Sequence, residues 1–298
     1  MKVLVDLNSK IHSFQITQQH KKRLCSEFPQ HDFEFAQSYK HFKTLLADAE
    51  AALVWQFPQH LFEKSPKLRF LYTPAAGKDW VALDPRQKVK TRFSSFHGQL
   101  IAESFLAMLL YFNNRLDRAS TLVNKRSWDR NFPGRRSLKG QKLLICGFGN
   151  IARHCAQTVM AFGMEVCGVR RNPQKNSDFE VIDVEQMDRR LSEFDHVLNL
   201  LPGDATSENF FDKKRLERMS SKAFFYNFGR GTTVCESSLI KALQNGHLPG
   251  AGLDVVRLEP LPADSPLWTQ KNLLLTPHSS CCYDDYLDLF IDELLDCL

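Results

Sequence analysis

A short glycine-containing loop in the middle of the chain follows an apolar run and precedes a helical pattern. Residues 143–146 are apolar, the next six read Gly-Phe-Gly-Asn-Ile-Ala, and apolar positions recur at helical spacing as far as Phe162. In this context Gly147 allows a sharp turn, Gly149 lets the backbone approach a pyrophosphate, and Ala152 allows a helix to pack closely on a strand. The pattern predicts a dinucleotide-binding loop at a helix N-terminus, where N–H groups favour an anion; the alternative is a plain strand-to-helix turn.

Two arginines stand at the end of the next predicted strand. The strand over 165–169 runs directly into Arg170 and Arg171. A dinucleotide fold that selects NAD usually has an acidic residue there, which binds the ribose 2′-hydroxyl. Guanidinium groups instead pair with phosphate through a fork of donors. We therefore expect NADP(H) to be preferred, with NAD(H) as a second cofactor; the alternative is that both arginines are solvated surface residues.

Four segments of the chain resemble, in order and spacing, motifs of the D-isomer-specific 2-hydroxyacid dehydrogenases. They cover residues 147–166, 227–234, 253–268 and 275–280, and upstream the landmarks Ala-Ala-Gly at 75–77 and Ile-Ala-Glu at 101–103 also resemble the family. The Val-Arg-Arg and Ser-Pro-Leu-Trp features are most similar to a glyoxylate/hydroxypyruvate reductase-like branch. The residues Phe96 and His97, just before Gly98, depart from the family's pattern.

The resemblance implies a reversible reduction of a 2-oxo acid to a D-2-hydroxy acid, in which a nicotinamide supplies hydride. His278 is then the proton donor, because imidazole can give a proton near neutral pH, and Glu259 holds its ring. Arg230 offers two parallel donors to the substrate's carboxylate and carbonyl oxygens. Backbone N–H groups near Ala76 and Gly77 bind the carboxylate. Taken singly, Arg230, Glu259 and His278 also suit an ordinary turn or surface loop.

The resemblance also implies which residues contact the cofactor and which support the site. Asp254 either binds near the nicotinamide or orders its loop, Glu103 is structural or interfacial, and Trp128 lines the site entrance. Trp268 is predicted to be a packing residue. A formate-oxidising relative has glutamine where Glu259 stands, so the glutamate favours 2-oxo acid chemistry. The expected cofactor contacts are Gly147, Gly149, Asn150, Ile151, Arg170, Arg171, Leu201, Pro202, Phe228, Gly229, Asp254, His278 and Ser280.

The elements that must position these residues form an α/β pattern: two doubly wound parallel-sheet domains, a Rossmann cofactor domain inserted in a flavodoxin-like substrate domain. We expect the substrate domain at 1–95 plus 283–298, with a helix in the tail, and the cofactor domain at 96–282. One long amphipathic helix is predicted over 98–119. The predicted strands are 3–7, 33–36, 51–56, 68–73 and 88–94 in the first domain and, in the second, the six runs 142–146, 165–169, 196–201, 223–228, 251–255 and 273–276.

Composition narrows the class of protein further. The hydrophobic share of 43% and charged share of 24% are typical of a globular protein, and the net charge of +5 comes from scattered basic residues, which disfavours a nucleic-acid partner. We expect no membrane span and no secretory peptide. The eight cysteines contain no C-x-x-C pair, which indicates a reduced, cytoplasmic protein without a structural metal.

The family's usual homodimer, meeting through the cofactor domains and the helix over 98–119, is the expected assembly. Three alternatives to a small-acid reductase remain open. They are a D-lactate-type reductase of bulkier 2-oxo acids, a dinucleotide-sensing regulatory protein, and a Rossmann protein with another chemistry.

Overall fold

The computed structural model describes residues 1–131, 134–173 and 178–298, and the chain divides into two compact units. Unit 1 comprises Met1–His97 together with Cys282–Leu298, and unit 2 comprises Gly98–Cys281. These divisions fall after residues 97 and 281, two residues and one residue away from the predicted bounds at 95 and 282. Phe96 and His97 fall in unit 1 because both rings contact Tyr286, with ring centroids 5.0 and 5.6 Å away.

Unit 1 is built on a parallel sheet of five short strands. These strands are β1 (Lys2–Asp6), β2 (Asp32–Phe35), β3 (Ala51–Val54), β4 (Phe70–Thr73) and β5 (Lys90–Phe93). They lie in the order β2-β1-β3-β4-β5, which is the flavodoxin-like order. Every residue of β3 is buried, as expected of a parallel strand that is covered on both faces.

Helices α1 (Gln18–Glu27) and α2 (Tyr39–Leu45) and a C-terminal helix (Tyr286–Leu294) complete unit 1. Thr17 caps α1 by accepting a hydrogen bond from the His20 N–H. The C-terminal helix returns to α1, where Arg23 donates to the Asp288 carboxylate at 3.1 Å. The tail of the chain therefore belongs to unit 1, and the helix in it begins at Tyr286.

In the part of unit 2 that the structure describes, a parallel sheet has seven strands, one more than the six predicted. The strands are β6 (Lys142–Cys146), β7 (Glu165–Val169), β8 (Glu180–Ile182), β9 (His196–Asn199), β10 (Phe224–Asn227), β11 (Ala251–Leu253) and β12 (Leu273–Leu275). Their order is β12-β11-β10-β9-β6-β7-β8, the doubly wound order with one added edge strand. The strand that the sequence did not predict is β8, whose three residues, Glu-Val-Ile, begin with a charge and do not form an apolar run.

The helices of unit 2 correct a second expectation. The run predicted as one helix over 98–119 breaks at Arg115, whose backbone is left-handed with φ 55°. Its guanidinium binds Asp117 at 2.8 and 3.0 Å, so the second helix starts from a local ion pair. The helices are α3 (His97–Asn113), α4 (Leu116–Asn124), α5 (Asn150–Met160), α6 (Val184–Arg190), α7 (Lys213–Arg218) and α8 (Glu236–Gln244).

The core of unit 2 occupies both faces of its sheet. Leu143 and Ile145 of β6 pack in one apolar cluster, and Leu144 and Cys146 of the same strand pack in the other. The strand order reverses between β6 and β9, and ligands of such sheets bind outside the carboxyl ends of the strands at that reversal. Among the described residues, every helix is too short or too polar to cross a bilayer.

Candidate active site

A histidine and a glutamate meet beyond the carboxyl end of β12. The Nδ1 atom of His278 lies 2.7 Å from Oε2 of Glu259, and the Oε1 atom of the same carboxylate accepts the Val256 N–H at 3.1 Å. A carboxylate only accepts, so Nδ1 carries the proton of this bond. The two side chains are 41% and 37% exposed, which leaves the pair accessible to a small solute. The arrangement suits proton transfer through the other ring nitrogen of His278.

A buried aspartate orders the loop that carries His278. Asp254 is 2% exposed, and its carboxylate accepts hydrogen bonds from the Thr276 hydroxyl at 2.6 Å, the Ser279 N–H at 2.9 Å and the Ser280 N–H at 3.2 Å. The Asp254 carbonyl also accepts the His278 N–H at 2.8 Å, and His278 adopts φ 51°. Asp254 therefore fixes a backbone conformation that few non-glycine residues adopt. Of its two predicted roles, loop ordering is the one that the contacts show.

Arg230 lies beyond the carboxyl end of β10, next to the segment that bears the glutamate. Its Nη1 donates to the Gly229 carbonyl at 2.8 Å. The neighbouring Gly231 packs against the backbone of Val256, since a Cβ at Gly231 would lie 1.9 Å from the Val256 carbonyl carbon. Val256 in turn donates to Glu259. The segments that carry Arg230 and Glu259 therefore contact each other through a residue that must be glycine.

The glycine loop between β6 and α5 has room for a phosphate. Gly147 adopts φ 92°, and a Cβ there would lie 2.7 Å from the Leu200 carbonyl oxygen. A Cβ at Gly149 would meet nothing within 4 Å, and Gly149 is the N-cap of α5 without a side-chain bond. Ala152 is fully buried in the helix–sheet contact. The loop is thus a turn whose open side lies at a helix N-terminus, which fits a dinucleotide pyrophosphate.

The arginine pair lies beside this loop, at the end of β7. The N–H of Gly147 donates to the Val169 carbonyl at 3.2 Å, and the N–H of Arg170 donates to the Ile182 carbonyl at 3.0 Å. Arg170 is half-buried and Arg171 is exposed. The Arg171 guanidinium donates to the Thr206 hydroxyl at 2.5 Å, so a loop that follows β9 also holds this side chain.

Two buried asparagines, which the sequence analysis did not single out, hold the loops after β9 and β10. Asn199 donates to the Asn227 side-chain oxygen at 2.9 Å and accepts the Leu201 N–H at 3.2 Å. The Asn227 oxygen also accepts the Gly229 N–H at 3.1 Å. A polar residue at the end of an otherwise apolar strand was the available signal. These bonds bring together two pairs of predicted cofactor contacts, Leu201 with Pro202 and Phe228 with Gly229.

For the remaining predicted residues, the structure gives exposure and local contacts. Ala76 and Gly77 follow β4 in unit 1, where Ala76 is exposed and Gly77 half-buried. Trp128 is 91% exposed. Trp268 is 57% exposed and its indole N–H donates to the Pro262 carbonyl at 2.8 Å, while the neighbouring Leu267 is buried. In unit 2 the remaining residues are placed as follows: Asn150 begins α5, Ile151 is half-buried, Ser280 is buried, and Glu103 accepts a hydrogen bond from Gln99 at 2.9 Å.

Comparison with known proteins matches the same region to one family. A family model described as D-isomer specific 2-hydroxyacid dehydrogenase, NAD binding domain, matches residues 106–280. Glyoxylate/hydroxypyruvate reductase B of Klebsiella pneumoniae is 31% identical over 251 residues, covering 80% of this chain and 77% of that protein.

Two solved structures have a similar fold. A D-isomer specific 2-hydroxyacid dehydrogenase family protein from Aeromonas salmonicida superposes with a TM-score of 0.81 at 29% identity and covers 98% of this chain and 93% of its own. An NADPH-dependent glyoxylate/hydroxypyruvate reductase from Sinorhizobium meliloti, solved with NADP and sulfate, has a TM-score of 0.82 at 24% identity and shares the fold over 97% of this chain and 92% of its own. The chain therefore belongs to the D-isomer specific 2-hydroxyacid dehydrogenase family, and it is an oxidoreductase with a domain for a nicotinamide dinucleotide.

Proposed function

We propose that this enzyme reduces a small 2-oxo acid, similar to glyoxylate or hydroxypyruvate, to the D-2-hydroxy acid with NADP(H). The observation that carries the proposal is the 2.7 Å bond between His278 and Glu259. That bond lies next to the segment that bears Arg230, and both histidine and glutamate are open to solutes. A nicotinamide, when bound, supplies the hydride; the residues of this chain must supply the proton and hold the acid.

His278 supplies the proton in this proposal. Addition of hydride to the ketone carbon places negative charge on the oxygen, which must then be protonated. Because Nδ1–H is engaged by Glu259, the proton leaves from Nε2, and the carboxylate stabilises the imidazolium that donates it. In the opposite direction the neutral ring accepts the hydroxyl proton at the same atom.

Arg230 and the loop after β4 hold the acid. A guanidinium presents two parallel donors, which suit the carboxylate and the ketone oxygen of a 2-oxo acid. We assign the backbone N–H groups of Ala76 and Gly77 to the same carboxylate, since small side chains leave the backbone of this loop accessible. Every 2-oxo acid has these groups. These residues therefore select 2-oxo acids as a class and do not distinguish them by the group at the third carbon.

The preference for NADP(H) is supported by Arg170 and Arg171. Their position beside the glycine loop is where a ribose 2′-substituent of the dinucleotide would lie, and a phosphate there would meet two cations. The Sinorhizobium meliloti protein is named as NADPH-dependent and was solved with NADP. Its name, and that of the Klebsiella pneumoniae reductase, also supports glyoxylate or hydroxypyruvate as substrate.

A homodimer is the assembly that we propose. The apolar face of α3 packs in the core of its own unit, where Phe105 and Leu109 are fully buried. Three apolar side chains just beyond it are exposed: Leu116 by 47%, Val123 by 77% and Trp128 by 91%. We therefore place the contact with a second copy on α4 and the residues that follow it, rather than on α3.

Replacement of His278 by glutamine tests the proton transfer. We expect kcat for 2-oxo acid reduction to fall by about 100-fold or more, because a positioned general acid contributes roughly 10²–10⁴ in rate. The Kd for NADPH, measured by fluorescence titration, should change far less than kcat, since the phosphate loop is unchanged.

The matched control is His60→Gln, at an exposed histidine of unit 1. That variant should keep the wild-type kcat. Wild-type turnover in the His278 variant would remove this residue from the proton-transfer role.

A further inference from the structure

The loop that we assign to the substrate carboxylate starts at a buried carbonyl with an unusual partner. The hydroxyl of Tyr286, at the start of the C-terminal helix, donates to the Pro74 carbonyl at 2.8 Å. Nε2 of His97 lies 2.8 Å from the same hydroxyl oxygen. A phenol has one proton, and it is given to Pro74, so the oxygen accepts from the His97 ring. The bonds therefore run from His97 to Tyr286 to Pro74, all within unit 1.

Aromatic packing fixes the phenol in this position. Tyr286 is 2% exposed. Its ring centroid lies 4.6 Å from that of Phe14, 5.0 Å from that of Phe96 and 5.7 Å from that of Trp55. A ring held by three others has little freedom to move its hydroxyl away from the carbonyl.

The peptide between Pro74 and Ala75 is held at both of its ends. Its carbonyl accepts from Tyr286, and its N–H, that of Ala75, donates to the Thr73 hydroxyl at 3.2 Å. Carbonyl and N–H of one peptide lie in one plane, so two bonds fix the orientation of that plane. The next two N–H groups along the chain are those of Ala76 and Gly77, so this peptide is the fixed point from which their loop starts.

His97 adds an observation that packing alone does not explain. It is 4% exposed, and no hydrogen-bond partner for its buried Nδ1 is found among the described residues. Burial lowers the pKa of His97 to about 4, so the ring is neutral at physiological pH. A phenylalanine would fill the same space without burying an unpaired nitrogen. The ring's remaining nitrogen, Nε2, is the atom that contacts Tyr286.

We infer that Tyr286 and His97 are positioning residues for the substrate's carboxylate, acting through the Pro74–Ala75 peptide. This inference rests on the proposed function, which assigns Ala76 and Gly77 to that carboxylate. Two consequences separate it from a general structural role. The carboxylate is common to all 2-oxo acids, so loosening this peptide should weaken the binding of every such acid by the same factor. The phosphate loop and the arginine pair lie in unit 2, so NADPH binding is unchanged.

The test is Tyr286→Phe, which removes one oxygen and keeps the ring contacts. We expect KM for glyoxylate, hydroxypyruvate and pyruvate to rise by a common factor of about ten, the effect of one lost hydrogen bond to a buried carbonyl. We expect kcat to change by less than about twofold and the Kd for NADPH to stay constant. His97→Phe should raise KM in the same uniform way but by a smaller factor, because the bond to Pro74 remains.

The control is Tyr72→Phe, which removes another hydroxyl-to-carbonyl bond in unit 1. The Tyr72 hydroxyl donates to the Cys297 carbonyl at 3.0 Å, in the tail of the chain. This variant should keep the wild-type KM for all three acids. An unchanged KM in Tyr286→Phe, a rise confined to one acid, or an equal rise in Tyr72→Phe would each overturn the inference.

A second readout separates this inference from the proposed function. Oxalate carries the carboxylate of a 2-oxo acid but no reducible ketone, so calorimetry can measure its binding without turnover. Weaker oxalate binding in Tyr286→Phe supports the inference even if the wild-type enzyme reduces none of the acids, a result that would refute the proposed function alone. Equal oxalate binding in both proteins, or none in the wild type, refutes the inference.

Discussion

The two carboxylates of this site, Asp254 and Glu259, have different roles because their surroundings differ. Asp254 is buried and accepts only from the loop that it orders, so it acts on the backbone. Glu259 is 37% exposed and accepts from the His278 ring, so it acts on the imidazole. Loss of the first should disorder the His278 loop, whereas loss of the second should leave the ring without the acceptor that orients it. The residue types alone did not separate these roles; their hydrogen-bond partners did.

The arginine pair carries a prediction at the same scale. Arg170→Asp combined with Arg171→Ser should lower kcat/KM for NADPH by about 10- to 100-fold and leave that for NADH equal or higher. A phosphate loses one or two charge-assisted bonds, whereas a ribose hydroxyl gains an acceptor. The double variant is the clean test because either arginine alone would still present donors to the 2′-phosphate.

The control for cofactor preference is Arg189→Ala, on α6, where the arginine binds Glu185 and its side chain is 65% exposed. Its ratio of NADPH to NADH efficiency should equal that of the wild type. An unchanged ratio in the double variant would place the 2′-phosphate site elsewhere.

Single residues were predictable from the sequence where a conformation or a charge demanded a type. Gly147, at φ 92°, and the charged pair after β7 are examples. Asn199 and Asn227 were not predicted, because they meet across 28 residues of sequence and only the register of β9 against β10 brings them together.

At the scale of elements, buried parallel strands were the most predictable features. β6 and β7 have the predicted bounds, since a strand covered on both faces is an uninterrupted apolar run. The edge strand β8 and the break at Arg115 were missed for a common reason. Neither is marked by an apolar run in the sequence: β8 has one buried residue, and the helix breaks where the backbone of Arg115 is left-handed beside an ion pair.

A buried hydrogen-bond network centred on His196 joins three of these elements. His196 of β9 has Nε2 2.7 Å from the Gln141 side-chain oxygen and Nδ1 3.2 Å from the Tyr226 hydroxyl of β10. Gln141 donates to Asn113, at the end of α3. Burial lowers the pKa of His196 to about 4, so the ring stays neutral and both of its nitrogens stay paired.

This network predicts how stability depends on pH. The unfolded chain protonates His196 below about pH 6.5, whereas the native ring takes up a proton only near pH 4. Its contribution is therefore fully present above pH 6.5 and is lost as pH falls toward 4. Between pH 7 and pH 5 we expect the free energy of unfolding to fall by about 2 kcal/mol on account of His196.

His196→Gln removes the titration and keeps a donor and an acceptor, so urea unfolding of this variant should show a shallower fall between pH 7 and pH 5. The control His60→Gln, at an exposed ring, should keep the wild-type slope. An equal slope in the two variants would show that His196 does not couple to folding.

At the scale of the whole molecule, alternation of strands and helices predicted two parallel sheets, and the strand orders follow the flavodoxin-like and doubly wound patterns. The return of the tail to unit 1 follows from side-chain contacts that alternation does not encode, such as Arg23 with Asp288. Within unit 2, the residues proposed for the cofactor and for proton transfer lie beyond the carboxyl ends of neighbouring strands. That shared edge is the reason why segments far apart in sequence form one site.

The central claim is that this molecule reduces a small 2-oxo acid with NADPH. The most direct measurement is the loss of absorbance at 340 nm when the purified protein is mixed with NADPH or NADH and glyoxylate, hydroxypyruvate, pyruvate, phenylpyruvate or 2-oxoglutarate. We predict rapid oxidation of NADPH with glyoxylate or hydroxypyruvate, at a kcat on the order of 1–10³ s⁻¹, and a slower rate with NADH. Fastest turnover of phenylpyruvate would instead indicate a reductase of bulkier acids. Binding of NADPH without turnover of any acid would contradict the claim and favour a dinucleotide-sensing protein.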